Sequence, residues 1–129
     1  MKHKYKFNES GVCENPKIVW RGIYNTYGGK NAIHPLYGMS FISVAWFKGS
    51  WVYGYSVGSQ LWMSLGGCSI NNGKFPSEKE ATIAGLRFIL ALVKDQMKQN
   101  PIREEKERLR SLIADIGMEI FNQKQLTLF

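Results

Sequence analysis

Two histidines, His3 and His34, two cysteines, Cys13 and Cys68, and ten carboxylates are the groups through which this chain could hold a metal or attack a substrate. A zinc site gathers such ligands at short, characteristic spacings. Neither histidine belongs to an HxH or HExxH pattern and neither cysteine to a CxxC, so a metal site would need ligands drawn from the whole chain. There is no GxSxG elbow and no Walker loop. Ser40, Ser50 and Ser59 each lie near a glycine and read as strand and turn residues. Between Glu14 and Glu78 there is no Asp or Glu, so that stretch cannot do carboxylate chemistry. Eight of the ten acids fall on two predicted helices, where pairing four residues apart and helix-dipole complementarity account for them. The expectation is a non-enzymatic protein with no cofactor and no metal.

Binding is what remains. The net charge is +7, and seven Lys or Arg stand against two Glu in residues 1–70, whereas ten stand against eight in 71–129. The basic excess therefore sits in the first half, which favours polyanions through phosphate neutralisation. Twelve of the seventeen aromatics lie between residues 15 and 77, interleaved with lysines and arginines. Aromatic faces flanked by cations can stack and hold a single strand. Arg21, Lys30, Lys48, Trp51, Tyr53, Tyr55 and Lys74 are the expected contacts to DNA or RNA. A plain aromatic core explains the same residues and competes with that reading.

The last five residues pose a different possibility. Gln125, Leu126, Thr127, Leu128 and Phe129 combine an amide, which can bond backbone groups at a pocket mouth, with three apolar side chains able to enter pockets. A chain end is normally polar and frayed, so this composition calls for a cover. The peptide closely resembles the bacterial sliding-clamp-binding motif, whose usual form is Gln-Leu-Ser/Asp-Leu-Phe. Thr127 stands where Ser or Asp is commoner and keeps a small hydroxyl. The resemblance implies docking on the DNA polymerase III beta sliding clamp, with Gln125 as the polar anchor, Leu126 and Leu128 as apolar contacts and Phe129 as the deep plug.

The elements that would position these groups are legible from periodicity. "GMSFISVAWFKGSWVYGYSV" reads as a hairpin turning at Lys48, Gly49 and Ser50. Phe41, Ser43, Ala45 and Phe47 share one face, and Ile42, Val44 and Trp46 the other. Trp51, Tyr53 and Tyr55 line one face of the returning strand, and Gly54 marks a bulge or a close backbone approach. "KIVWRGIYN" is a short strand before a loop, and "QLWMSL" a further strand before Gly66 and Gly67. The opening "MKHKYKFNES" alternates lysines with His3, Tyr5 and Phe7, as a strand with one charged face or a basic arm would. Ser77 and Glu80 form a capping box, after which Ala81, Ala84, Leu86, Phe88, Ile89, Leu92, Val93 and Met97 make an apolar stripe. Asn100 and Pro101 open a second helix with Ile102, Leu109, Leu112, Ile113, Ile116 and Ile120 on one face, weakened near its end by Gly117. That stripe could also serve self-association.

The expected fold is α+β: a small antiparallel sheet of three to four strands, covered by a C-terminal helical hairpin, with an exposed C-terminal tail. Residues 1–122 form one domain, with strands within about 17–65 and helices at about 77–99 and 101–122, and residues 123–129 form the tail. With a helix on one face, Trp46 or the Trp51, Tyr53 and Tyr55 row must be exposed, or covered by a partner or by the N-terminal segment. The element order is similar in topology to double-stranded RNA-binding domains, without their basic loop at the last helix. The body also resembles, in pattern only, a small module of phage and plasmid proteins found with ParB-type partition proteins. No apolar run approaches the roughly 20 residues that span a bilayer, and the cysteine usage suits a reduced bacterial cytoplasm. Together these imply a phage or plasmid accessory protein that binds the clamp. The alternatives are a nucleic-acid-binding module and a phage anti-defence inhibitor of a host protein.

Overall fold

The computed structural model describes residues 4–22, 40–58 and 62–125. Strands β1 (Lys17–Arg21), β2 (Phe41–Phe47), β3 (Ser50–Gly58) and β4 (Met63–Ser69) form one antiparallel sheet in the order β1-β2-β3-β4. Helices α1 (Glu78–Gln99) and α2 (Arg103–Gln125) follow as a hairpin. The α+β expectation holds, with four strands.

Strands β2 and β3 are apolar on both faces, and this governs the architecture. Their turn is two residues long: Phe47 pairs with Ser50 across Lys48 and Gly49, at φ 46° and 89°. Positive φ at both central residues matches the right-handed twist of the flanking strands. One face carries Ile42, Val44, Tyr53 and Val57, all buried under α1. Gly85 makes that approach possible, because a Cβ there would lie 2.9 Å from Tyr53 Cδ2 and 3.1 Å from Ile42 Cδ1. The other face carries Ala45 and Val52, which join Cys13 and Cys68 in a second cluster, closed by Tyr5, Phe7, Phe47 and Ile70.

The N-terminal segment is therefore a cover for the sheet. Tyr5 and Phe7 turn inward while Lys4 and Lys6 are exposed, as the alternation predicts. Asn15 straightens this stretch, accepting from Lys6 N–H and donating to the Lys4 carbonyl, both at 2.7 Å. Asn8 Oδ1 accepts from the N–H groups of Ser10 and Val12, which closes the turn before Val12 meets Ser69 of β4.

Between β3 and β4 the register slips: Tyr53 pairs with Ser69 but Tyr55 with Gly66. Two residues, Gly67 and Cys68, thus oppose Gly54 alone, the bulge expected at that glycine. Asn72 Nδ2 donates to the carbonyls of Tyr53 (2.7 Å) and Gly67 (2.9 Å), satisfying groups beside the bulge. Strand β4 runs on to Ser69, past the expected end at residue 65, since Gly66 is accommodated under the Tyr55 ring, 2.5 Å from where a Cβ would sit.

Helix α1 starts where the capping box predicts, with Ser77 Oγ accepting from Glu80 N–H at 3.1 Å. Helix α2 departs from expectation at both ends. It begins at Arg103, not 101, and Ile102 is 43% exposed, outside the core stripe. The head of the stripe is instead Glu105, about one turn later, fully buried in line with Leu109, Leu112 and Ile116. Arg108 offsets that buried charge through a 3.2 Å ion pair. At the other end α2 continues to Gln125, three residues past the expected 122.

Two glycines separate close packing from open space. A Cβ on Gly54 would meet Cys68 N at 2.5 Å and Cα at 2.7 Å, whereas one on Gly117 would meet nothing within 4 Å. Gly54→Ala should destabilise the fold by roughly 1–3 kcal/mol, and Gly117→Ala should stabilise it by up to about 1 kcal/mol. Urea denaturation of the two variants checks both signs, and an unchanged midpoint for Gly54→Ala would contradict the bulge packing.

Candidate functional site

The residues singled out by sequence fall in three separate places. Gln125 is the last residue of α2 and is exposed, and Leu126, Thr127, Leu128 and Phe129 lie outside the described residues, as does Lys30. Lys48, Trp51 and Lys74 meet at the β2–β3 turn. Trp51 and Phe75 exchange two 2.8 Å backbone hydrogen bonds, which brings Lys74 beside the turn. Arg21 pairs with Phe41 at the other end of β2, roughly 20 Å away at about 3.3 Å per residue.

The expected aromatic platform is not on the surface. Tyr53 is 6% exposed and packs against Phe75 and Phe88, and Tyr55 lies 4.9 Å from the Phe88 ring of α1. The row faces the helix, so no base can reach Tyr53, while Trp51 and Tyr55 are partly buried. The exposed indole is Trp46, 44% accessible and edge-on to Trp51 at 5.7 Å. Trp46 pairs directly with Trp51 and so shares the face of the row, not the opposite face expected of it from the sequence. Only the position of the start of α1, which lies over Val44 and Tyr53 through Ala81, leaves it uncovered. At this tip Tyr5 packs on Trp51, and Lys48 Nζ sits 5.3 Å from the Phe47 ring centre.

The end of α2 has a different character. Ile116 is buried and Ile120 packs against the core, while Met118 and Phe121 are 61% and 56% exposed. Sequence reading missed this pair, because a helix read for its core stripe gives no reason to look at the opposite side. Gln123 lines a groove of about 380 Å³ with Lys17, Ile18, Val19, Glu78, Lys79 and Thr82. Lys17 and Glu78 neutralise each other across 2.9 Å, and this hydrogen bond raises the Lys17 pKa.

Among the described residues no three His, Cys, Asp or Glu side chains come together as a metal site. The two cysteines, far apart in sequence, are neighbours: Cys13 N–H donates to the Cys68 carbonyl at 2.8 Å. Both are free and buried. Burial, reinforced by Cys13, pushes the Cys68 thiol up to about 12, and burial raises Cys13 as well. Protonated at neutral pH, they are poor nucleophiles and serve as small apolar core residues. No helix among the described residues is long and apolar enough to cross a membrane. Compared with protein-family models, curated proteins and solved structures, the chain matches none.

The thiol shift has a consequence for stability. With an ordinary value of 9.0 when unfolded and about 12 when folded, Cys68 favours the folded state fully below about pH 9 and loses that contribution as pH rises toward 12. Cys68→Ala should therefore show a shallower loss of stability over that interval than the parent chain. Denaturant midpoints measured from pH 8 upward check this, and parallel curves would contradict it.

Proposed function

We propose that this chain is a non-enzymatic accessory protein that binds the bacterial DNA polymerase III beta sliding clamp through residues 125–129. The observation that carries the reading is the peptide itself, an amide followed by Leu, Thr, Leu and Phe, joined directly to an exposed helix end. The described core is closed without it: Leu109, Leu112 and Ile116 of α2 already bury the helix against Leu86, Ile89 and Val93. Terminal insertion of the phenylalanine and second leucine into apolar pockets provides the energy, and the glutamine provides orientation. The outcome is tethering, either delivering the α+β body to replicating DNA or occupying the pocket against other clamp ligands. A phage or plasmid origin fits both.

Titration of the full chain with purified clamp tests this. Leu128→Ala with Phe129→Ala should weaken binding by roughly 1,000-fold, taking two anchor losses of about 2 kcal/mol each, with the thermal midpoint unchanged. Absence of binding by the parent chain, or no effect of the double variant, rejects the reading.

A second reading retains a nucleic-acid contact and rests on Trp46, exposed at a hairpin tip that also carries Lys48 and Lys74. It predicts single-strand binding that quenches indole fluorescence, falls steeply with salt and persists when residues 126–129 are removed. Quenching that is indifferent to salt, or lost with the tail, would count against it.

A further inference from the structure

We infer that the exposed face of the last two turns of α2, Met118 and Phe121, is a second clamp contact that docks beside the pocket taking residues 125–129. The inference rests on the clamp reading and names residues that the peptide motif does not contain.

Three observations lead to it. First, Gln125 is helical, so its direction is tied to the rest of α2. Spacings of three and four residues place Met118, Phe121 and Gln125 on one side of the helix, with exposed Ala114 continuing the same side. Leu109, Leu112 and Ile116 occupy the opposite side and are buried. Second, Met118 and Phe121 are 61% and 56% exposed, and two large adjacent apolar side chains outside the core need another reason to be there. Third, the reach is short. Phe129 is four residue steps beyond Gln125, a span of at most roughly 14 Å when fully extended. Phe121 lies only one turn, about 6 Å, behind Gln125 along the axis. A pocket that swallows Phe129 and holds Gln125 at its mouth therefore has the Phe121 side chain at its rim.

The occupant is thus the clamp surface flanking the pocket on the Gln125 side, and its chemistry must be apolar. A rigid helix presenting two apolar side chains beside the peptide adds contact without a further backbone-ordering cost, because the helix is already formed. It would also set how the body leans on the clamp, which a flexible linker could not do.

The test is a titration of clamp with four ligands: the full chain, its Met118→Gln/Phe121→Gln variant, its Leu128→Ala/Phe129→Ala variant, and a synthetic peptide of residues 125–129. Glutamine keeps the helix propensity, and circular dichroism and the thermal midpoint establish that the fold is intact. The full chain should bind at least roughly tenfold more tightly than the peptide, and the Met118/Phe121 variant should fall to about the peptide's affinity. If the full chain binds and the Met118/Phe121 variant equals it, the inference is overturned while the clamp reading stands. If the full chain does not bind, both fall. If sedimentation instead shows that the variant dissociates a dimer without altering clamp affinity, the face belongs to a second copy and the inference is likewise overturned.

Discussion

Everything in this molecule depends on a β-hairpin that is apolar on both sides. Ile42, Val44, Tyr53 and Val57 point one way, and Ala45 and Val52 the other. A sheet of this size is unstable with either side in water. It needs two covers, and the chain supplies them from its two ends: α1 after the sheet, and residues 4–15 before it. The bulge at Gly54 is where the demands meet. It lets Cys68 come within van der Waals range of β3, and the Asn72 amide ties the carbonyls on both sides of the irregularity.

That constraint explains why the aromatic row is core. Tyr53 and Tyr55 share the side that receives Leu86, Phe88 and Ile89 of α1, and Gly85 lets the helix axis sit close enough for the rings to be enclosed. Basic residues nearby remain exposed because lysines decorate the rim of any such core. Among the aromatics of β2 and β3, the exposed one is Trp46 at the tip, where the sheet extends beyond the start of the helix.

The same logic separates the two sides of α2. Helix α2 is needed to seal α1, and its buried side ends in Ile116 and Ile120. The helix continues to Gln125, and on the side away from Ile116 and Ile120 it carries Met118 and Phe121 outward. A helix that merely closed the core would be expected to be polar there. On the clamp reading, a rigid projection is useful, since it fixes the distance between tethered body and anchor.

Local signals determined much of this. Alternation in residues 41–57, the short turn at Lys48 and Gly49, the Ser77 cap and the 3.6-residue periods after it specified the hairpin, the helices and the α+β class. The clamp-like peptide is also a property of sequence alone, because a linear motif needs no fold. Tertiary structure decided the rest, through relations that no local window contains. It chose α1 for the Tyr53 side and the N-terminal segment for the Val52 side, because cover depends on which element reaches which face. It brought Cys13 to Cys68, and it left Ile102 outside the helix, so that Glu105 heads the unchanged Leu109, Leu112 and Ile116 stripe. It also turned Met118 and Phe121 outward, since the side of α2 facing solvent is known only once α1 has taken the other.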